Sequence, residues 1–348
     1  MPSSPGYSNV FRLIATPELH ASGTIISTVA SAGAVITGLD VVDPGHHSVV
    51  LDLSCTTLDS GHVELVRNKL NQLNGCSVEK VSDSTFLIHL GGKITMDLKV
   101  PLRNRTDLAR AYTPGVARVC MAIHENPADA RNLTIKRNSV AVVTDGSAVL
   151  GLGNIGPKAA MPVMEGKAAL FKKFGGVDAW PICLDTTDTD EIVRAVELIS
   201  PGFGGVNLED ISAPRCFEIE RRLRESLDIP VFHDDQHGTA VVVLAALHNA
   251  LRLVEKDTSD IRVVMMGAGA AGVAVARLLM ESGVQDIIIF DSKGPLYPSR
   301  DRMDAERTAL AAITNPRKHA GSVTEALEGA DVFIGLSQPN VITGQDVQ

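Results

Sequence analysis

The first ninety residues alternate between strand-like and helix-like patterns of hydrophobic positions. Strand-like runs are NVFRLIA, AVITGLDVV and SVVLDLS, and the last two are separated by the turn signal DPG. Two other stretches place apolar residues three or four positions apart, as amphipathic helices do: Ile25, Ile26 and Val29, then Val63, Val66, Leu70 and Leu73. With TFLIHL as a final strand, the order is βαββαβ. This order predicts a ferredoxin-like sheet with both helices on one face.

Gly91 and Gly92 interrupt this pattern, and we place a domain boundary there. From residue 93 to about residue 245, the strand-like runs SVAVVTDG, AWPICLD and FGGVNLED alternate with helical patterns, which predicts an α/β domain. A long apolar helix, predicted from Thr239 to Val254, leads into a third unit with the strand-like runs IRVVMM, IIIFD and DVFIGLS. We therefore expect domains at residues 1–91, 92–250 and 251–348.

Composition narrows the class of protein. The 348 residues carry a net charge of −9, which offers no basic surface for nucleic acid or for a membrane. The longest wholly apolar run, Ala240 to Leu247, is too short to span a membrane, and the N-terminus lacks the pattern of a signal peptide. Five scattered cysteines without a CxxC pair favour free thiols in a reducing compartment. These features predict a cytoplasmic protein that binds neither nucleic acid nor a membrane.

The third unit contains a glycine loop between a strand and an apolar helix, with Gly267, Gly269 and Gly272 in the spacing GxGxxG. In a dinucleotide site these glycines permit the tight turn, the close approach of the pyrophosphate and the packing of helix on strand. Ala270 and Ala271 of the loop are candidate cofactor-binding residues, and the apolar helix, predicted from Val273 to Met280, would direct its N-terminus at the phosphates. The order of strand, loop, helix and strand predicts a Rossmann dinucleotide-binding domain.

Two residues, one at the end of the next strand and one just after it, bear on whether NAD or NADP binds. Asp291 ends that strand and suits the ribose 2′-hydroxyl of NAD. Lys293 could instead meet the 2′-phosphate of NADP. The sequence leaves both cofactors open, with NAD slightly favoured.

Two acidic pairs follow predicted strands of the α/β domain: Glu209 with Asp210, and Asp234 with Asp235. Because ligand sites in open α/β sheets lie at the carboxyl ends of strands, the pairs are expected to converge. Carboxylate oxygens select hard cations such as Mg²⁺ or Mn²⁺. Helix capping is the alternative for either pair alone. Zinc is disfavoured, because a helix that starts after Gly238 leaves the neighbouring histidines off a common helical face.

Two further residues have reactive side chains but weak signals of their own. Tyr112, in ARAYTPGVA, reads as a buried aromatic residue with a hydrogen-bonded hydroxyl. Lys167, in MEGKAALFKKF, reads as a solvated lysine on a helix. Neither residue predicts chemistry without its context.

Several stretches together resemble the malic enzymes, and in particular their shorter bacterial branch. The matching segments span residues 93–348 and are AYTPGVA, TDGSAVLGLGNIG, MEGKAALFKKFGG, VNLEDISAPRCFEIE, VFHDDQHGTA and GAGAAG. The N-terminal βαββαβ unit looks like an ACT domain, a regulatory module that often binds a small effector. The resemblance also implies a homo-oligomer, a dimer in the simplest case.

The resemblance implies oxidative decarboxylation of malate to pyruvate and CO₂ with reduction of NAD or NADP, assisted by Mg²⁺ or Mn²⁺. By this likeness Glu209, Asp210 and Asp235 would bind the cation, and Asp234 would help to fix the geometry around it.

Lys167 would be the base that takes the proton of the C2 hydroxyl. We expect a partly apolar pocket to lower its pKa. Tyr112 would be the acid that protonates C3 of enolpyruvate.

Two features depart from the family pattern. The larger branch has an arginine for the substrate carboxylate shortly after TDG, where this chain has Ser147 and Ala148. The chain also stops at Gln348, before a full six-strand dinucleotide domain is complete, which suggests a truncated form of a longer enzyme. The alternative function is therefore a non-catalytic regulatory or assembly protein that binds effector and cofactor only. An amino-acid dehydrogenase is disfavoured by the two acidic pairs.

Overall fold

Four strands form an antiparallel sheet in the N-terminal part of the chain. The structure, a computed structural model, describes residues 7–21, 23–149, 151–338 and 340–346, and its contacts divide the chain after Thr95. The elements of the first unit are β1 (Ser8–Ala15), α1 (Pro17–Ala21), α2 (Thr24–Ser31), β2 (Val35–Asp43), β3 (Val49–Thr56), α3 (Ser60–Asn71), β4 (Cys76–Asp83) and α4 (Ser84–His89). The strand order β2-β3-β1-β4 is that of a ferredoxin-like sheet, as the sequence predicts.

One face of this sheet carries the core of the first unit. Strands β1 and β3 alternate buried and half-buried positions, so every second residue meets the helices. Val29 of α2 and Val66 of α3 are fully buried among these strand residues. Asp59 begins α3, because its carboxylate accepts the backbone N–H of His62 at 2.8 Å.

The prediction that TFLIHL is the last strand is wrong. The last strand is CSVEKVSD, which pairs with β1, and the TFLIH residues belong to α4. Asp83 caps this helix by accepting the backbone N–H of Thr85 at 2.7 Å. Phe86 and Ile88 of α4 are 75% and 65% exposed. The apolar run is therefore a capped surface helix, whereas the more polar β4 contributes only every second or third residue to the core.

A parallel four-stranded sheet organises the first part of the second unit. Its elements are α5 (Arg105–Ala111), α6 (Val116–Glu125), α7 (Ala130–Leu133), β5 (Ser139–Thr144), α8 (Pro157–Leu170), β6 (Asp178–Cys183), α9 (Thr189–Ile199), β7 (Gly205–Leu208), α10 (Arg215–Ser226), β8 (Val231–His233) and α11 (Asp234–Val254). The order is β6-β5-β7-β8, with all four strands parallel. Their carboxyl ends therefore meet at one edge, as expected for an α/β domain.

Helix α11 begins at Asp234, five residues earlier than the sequence predicts. Negative charge at a helix N-terminus is favourable, so the adjacent aspartates Asp234 and Asp235 stabilise the first turn instead of preceding it. The early start places His237 on the helix and leaves His233 at the end of β8.

A second sheet, in the order β11-β10-β9-β12, forms the dinucleotide part of the same unit. Its elements are β9 (Arg262–Met266), α12 (Ala270–Glu281), β10 (Asp286–Asp291), β11 (Gly294–Pro295), α13 (Ala305–Ile313), α14 (Val323–Leu327) and β12 (Val332–Gly335). Strands β10, β9 and β12 are parallel. The chain crosses from one side of β9 to the other between β10 and β12, which is the point where dinucleotides bind in such sheets.

Helix α11 joins the two sheets. Its buried residues Ala240, Leu247 and Leu251 belong to the core around β9 and α12, although the sequence places the helix at the end of the second domain. By length and composition α11 is also apolar enough to cross a membrane, which is weak evidence because the core helices of other proteins pass the same test. Its first turn carries Asp234 and Asp235 and one side packs on α12, so we interpret it as a helix of this folded unit.

Candidate active site

The two acidic pairs meet at the carboxyl edge of the parallel sheet. Glu209 and Asp210 follow β7, and Asp235 lies in the first turn of α11 directly after β8. One carboxylate oxygen from each of these three residues lies within 4.8 Å of the other two. Glu209 and Asp210 are only 5% and 4% exposed. Adjacent parallel strands thus bring Glu209 and Asp210 together with Asp235, which lies 25 positions after Asp210.

A bend of the backbone lets neighbouring residues face the same point. Asp210 has φ 54°, in the left-handed region, whereas a straight strand would direct Glu209 and Asp210 to opposite faces. This conformation costs a non-glycine residue on the order of 1 kcal/mol or more. Two hydrogen bonds hold it, because the N–H of Asp210 donates to Asp235 Oδ2 at 2.9 Å and its carbonyl accepts from Ala148 N at 3.0 Å.

The pKa of Glu209 is raised by its position in this cluster. Burial, together with the negative charges of Asp235 and Asp234, raises the pKa of Glu209 to about 7, although Lys167 and Asn207 act against the rise. Asn207, fully buried on β7, donates to Glu209 Oε2 at 2.9 Å. Burial is thus the main reason that the charged form of Glu209 is disfavoured here, and the neighbouring carboxylates add to it.

Lys167 supplies positive charge to the cluster. It lies on α8, and its Nζ is 2.6 Å from Asp234 Oδ2 and 3.1 Å from Glu209 Oε1. Burial alone lowers the pKa of Lys167, but the ion pairs with Asp234 and Glu209 outweigh burial and raise it above the ordinary value. The expectation of a lowered pKa is therefore wrong for this arrangement, because the pocket is acidic rather than apolar.

Asp234 reaches Lys167 because residue 238 is glycine. A Cβ at Gly238 would lie 2.4 Å from Asp234 Oδ1, inside α11. Asp234 contacts the lysine while Asp235 faces the other carboxylates, and the role of Asp234 in supporting a cation site stays a prediction.

His233 and Glu220 form a second group of polar residues next to the cluster. The ring of His233 is fully buried, with Nε2 3.3 Å from Asp235 Oδ2, and burial lowers the pKa of His233. Glu220 of α10 accepts the backbone N–H of His233 at 3.1 Å and pairs with His237 Nε2 at 2.7 Å. These contacts fix the turn between β8 and α11 that carries Asp235.

The three carboxylates fit a hard divalent cation. They offer oxygen atoms only, they are close enough to share one ion, and burial raises the pKa of Glu209, so its negative charge is costly there. A cation of charge two would balance that charge. Glu209, Asp210 and Asp235 would be its protein ligands.

Tyr112 is not part of this cluster. It ends α5, its side chain is 68% exposed, and no contact of the described residues joins it to Lys167. Helices α5, α6 and α7 contain no fully buried residue. The structure therefore brings together the predicted base and the predicted metal ligands, but not the predicted acid.

The glycine loop has the close contacts that its motif requires. A Cβ at Gly272 would lie 1.9 Å from the carbonyl oxygen of Gly267, and one at Gly267 would lie 2.6 Å from the carbonyl oxygen of Leu336. Gly267 has φ 120°, a conformation that side chains disfavour. Helix α12 begins at Ala270 and Ala271, directly after the loop. This geometry fits a pyrophosphate at the helix N-terminus.

Asp291 ends β10, where a ribose would lie, but it already has a partner. Arg300 donates to both oxygens of its carboxylate, and Arg307 Nε lies 3.8 Å away. Burial alone raises the pKa of Asp291, and Arg300 with the N–H of Lys293 lowers it below its usual value. The side chain of Lys293 is exposed, and its backbone N–H donates to Asp291 Oδ1 at 2.8 Å.

Sequence reasoning missed four polar residues that shape these sites: Asn207, Arg215, Glu220 and Arg300. Asn207 stands inside the apolar run GVNL, and a lone polar residue in a buried strand is a usable signal. Glu220 and Arg215 lie on a helix rich in charge, where sequence does not distinguish buried from exposed positions. Arg300 lies in an irregular loop, where no helical or strand-like hydrophobic period marks its position.

Comparisons with known proteins agree with the geometry. Residues 91–224 match the family model "Malic enzyme, N-terminal domain", and residues 236–347 match "Malic enzyme, NAD binding domain". An NAD-dependent malic enzyme of Geobacillus stearothermophilus is 51% identical over the whole chain, which spans 73% of that protein. A bifunctional malic/malolactic enzyme of Bacillus subtilis is 55% identical over 74% of the chain, and the match spans 63% of that protein.

Solved structures give the same relationship. The NAD-dependent malic enzyme of Thermotoga maritima superposes with a TM-score of 0.74 and 48% identity, covering 76% of this chain and 71% of that one. The malic enzyme of Pyrococcus horikoshii gives 0.70 and 49%, covering 73% and 61%. With its carboxylate cluster, its glycine loop and these relatives, the chain belongs to the malic enzyme family.

Proposed function

We propose that this chain catalyses the oxidative decarboxylation of malate to pyruvate and CO₂, with NAD as the preferred cofactor and Mg²⁺ or Mn²⁺ as the cation. The convergence of Glu209, Asp210 and Asp235 beside Lys167 carries the proposal. A 2-hydroxy acid that chelates a cation would place its C2 hydroxyl near this lysine. The Geobacillus relative, which aligns over the whole chain, is named NAD-dependent, and this favours NAD over NADP.

The residues of the chain divide the proton transfers between them. Lys167 takes the proton of the C2 hydroxyl as the substrate is oxidised, and Asp234 holds its amine in place. Glu209 favours the ammonium form of the lysine, and this effect would weaken once Glu209 held a divalent cation. Tyr112 returns a proton to C3 after CO₂ leaves.

The cofactors supply what these side chains lack. A divalent cation at the three carboxylates supplies a Lewis acid for the C2 oxygen. NAD bound at Gly267, Gly269 and Gly272, with Ala270 and Ala271 at the helix N-terminus, supplies the hydride acceptor. Asp291 or Lys293 would then meet the adenosine ribose, and the first suits NAD.

Malate-dependent formation of NADH by the purified chain tests the proposal. We expect turnover with Mn²⁺ or Mg²⁺, none after EDTA treatment, and recovery on adding the cation back. Lys167→Ala should abolish turnover while NAD binding is kept. If wild type binds NAD and Mn²⁺ but forms no NADH under any of these conditions, the chain is the binding-only alternative and the catalytic proposal is wrong.

The N-terminal unit is proposed to be an ACT-like module that binds a small effector and regulates turnover. Its support is the strand order β2-β3-β1-β4 and the start of α2, where Gly23 has φ 68°. Calorimetric titration of the full chain with amino acids and with acyl-CoA tests this role. Absence of heat and of any change in turnover with all of them would favour a purely structural unit.

We further propose a homo-oligomer, a dimer in the simplest case, in the cytoplasm. Exposed apolar residues near the start of the second unit support an unseen partner surface, among them Met96, Leu98, Met121 and Ile135. Sedimentation velocity of the purified chain tests the oligomeric state, and a monomer at all concentrations would reject it.

A further inference from the structure

One arginine joins the loops that leave three strands of the parallel sheet. Nη1 of Arg215, the first residue of α10, donates to Asp145 Oδ2 at 2.8 Å and to the carbonyl of Thr187 at 2.7 Å. Nη2 donates to Ser147 Oγ at 3.0 Å and to Ser212 Oγ at 3.1 Å. Asp145 and Ser147 follow β5, Thr187 follows β6, and Ser212 follows β7. A single guanidinium thus connects the loops of three adjacent strands.

The network reaches the carboxylate cluster through two short segments. Ser147 donates from Oγ to Asp145 Oδ1 at 2.6 Å and accepts the backbone N–H of Ser212 at 2.9 Å. The next residue, Ala148, donates its N–H to the carbonyl of Asp210. The backbone of Asp210 is therefore hydrogen-bonded to Ala148, and Ser212 follows it two positions later in the chain. The guanidinium of Arg215 contacts the loops that contain Ala148 and Ser212. Asp210 is the residue whose left-handed backbone directs its carboxylate toward Glu209 and Asp235.

Arg215 itself is not available to bind substrate. All four of its terminal N–H groups are used by the partners named above. Its side chain is 25% exposed, and the carboxylate of Asp145 is fully buried. Removing one member of such a buried pair leaves the other charge without compensation, so the loops would rearrange.

We infer that Arg215 is a positioning residue for the cation site, because it holds Asp210 in the conformation that faces Glu209 and Asp235. The inference rests on the proposed cation site at these carboxylates. The role is mechanical, since the hydrogen bonds of the guanidinium go to Asp145, Ser147, Thr187 and Ser212 and act on the cluster through the loops of these residues.

Direct measurement of Mn²⁺ affinity tests the inference without relying on turnover. Free Mn²⁺ is measured by electron paramagnetic resonance during titration of wild type, Arg215→Ala and Asp145→Asn. Loss of a group that orients metal ligands typically weakens metal binding by about 10- to 100-fold, and we expect a loss of this size in both variants. NAD affinity, measured on the same samples, should stay within about twofold of wild type, because the glycine loop lies in the other sheet.

Arg222→Ala is the matched control. Arg222 lies two turns further along the same helix and pairs at the surface with Asp190 at 2.6 Å and with Glu218 at 3.4 Å. Because surface ion pairs contribute little, this variant should keep the Mn²⁺ affinity of wild type. Arg215→Lys keeps the charge but loses the planar fork of donors, and we expect a loss smaller than that of alanine. If Arg215→Ala fails to fold, the lysine variant decides.

Each outcome has one reading. Unchanged Mn²⁺ affinity in Arg215→Ala and Asp145→Asn, or in Arg215→Lys where only that variant folds, would overturn the inference while the proposed function stands. A rise in the KM for malate with unchanged Mn²⁺ affinity would also overturn it, since Arg215 would then be a substrate ligand. Failure of wild type to bind Mn²⁺ would reject the cation site itself and with it the proposed function.

Discussion

Lys167 and Tyr112 were both assigned catalytic roles by the same family likeness, yet the structure treats them differently. Lys167 is 21% exposed and forms ion pairs with Asp234 and Glu209. Tyr112 is 68% exposed, at the end of a helix with no buried residue. The likeness predicts what each side chain does, but only the packing of each element shows whether the side chain is in place to do it.

The difference follows from how the two regions are held. The carboxyl ends of β5, β7 and β8 are fixed by the ladders of a parallel sheet, and Glu209 adds a hydrogen bond from its N–H to the carbonyl of Val143. Helices α5 and α6 contain no buried residue. A site residue on a sheet edge is therefore positioned by the fold, whereas one on α5 depends on further packing or closure.

The largest effect is expected for Lys167→Ala. Loss of a general base typically costs about 10²- to 10⁴-fold in kcat, and we expect a loss in this range. NAD and Mn²⁺ binding should persist, because Asp234 and Glu209 keep their places in the sheet edge. Steady-state NADH formation measures the effect, with Lys172→Ala as the control, since Lys172 pairs with Asp178 at the surface. Equal turnover in the two variants would remove Lys167 from the mechanism.

A smaller loss is expected for Tyr112→Phe, about 10- to 100-fold in kcat, because enolpyruvate released without protonation can take a proton from water. The measurement is kcat in H₂O and in D₂O. A solvent isotope effect that grows in the variant would indicate that proton return has become limiting. Unchanged kcat and isotope effect would mean that Tyr112 stays away from the site during turnover. Of the two residues, only Lys167 would then have a catalytic role.

A third effect concerns pH. Because burial raises the pKa of Glu209 to about 7, the folded chain holds a proton there that the unfolded chain releases near its ordinary value. This contribution to stability is present below pH 4.5 and is lost as pH rises to about 7. A cation must displace that proton, so Mn²⁺ affinity should fall about tenfold between pH 8 and pH 6. Calorimetric titration across this range measures it. A Glu209→Gln variant should bind weakly with a flatter pH profile, and a flat profile in wild type would contradict the assignment.

The smallest effect is expected for Gly238→Ala. The new methyl group would displace the carboxylate of Asp234 and so weaken its ion pair with Lys167. Alanine also favours a helix interior by about 0.5–1 kcal/mol, which offsets the disturbance in the free energy of unfolding. We expect kcat to fall about tenfold with little change in Tm. Thermal unfolding and steady-state kinetics on one preparation test this, and a large fall in Tm would show that Gly238 serves packing instead.

Much of this architecture follows from hydrophobic pattern alone. The alternation of strands and helices predicted the strands of both α/β parts, and the GxGxxG spacing predicted the turn between β9 and α12. The pattern failed at TFLIHL, where the cap at Asp83 starts a helix, and at Asp234, where two acidic residues extend a helix beyond its apolar part. Both errors arise at helix N-termini, where capping and the helix dipole outweigh hydrophobicity.

The sequence predicted less of the candidate site than of the fold. Strand-end position placed the two acidic pairs near each other, but their sharing of one point depends on the left-handed backbone of Asp210. The raised pKa of Lys167 depends on how close Asp234 lies, which Gly238 permits and no sequence period reports. Three of the four partners of Arg215 lie 28, 68 and 70 positions away from it, so only the folded chain reveals the network.

Titration of the full chain with Mn²⁺ tests the central claim most directly. Three carboxylates sharing one ion predict a single tight site per chain, with affinity lost by about a hundredfold or more in Asp235→Asn, an isosteric change that removes one anionic ligand. NAD binding should be unaffected in the same variant. Equal Mn²⁺ affinity in wild type and Asp235→Asn, or no saturable binding to wild type, would contradict the account.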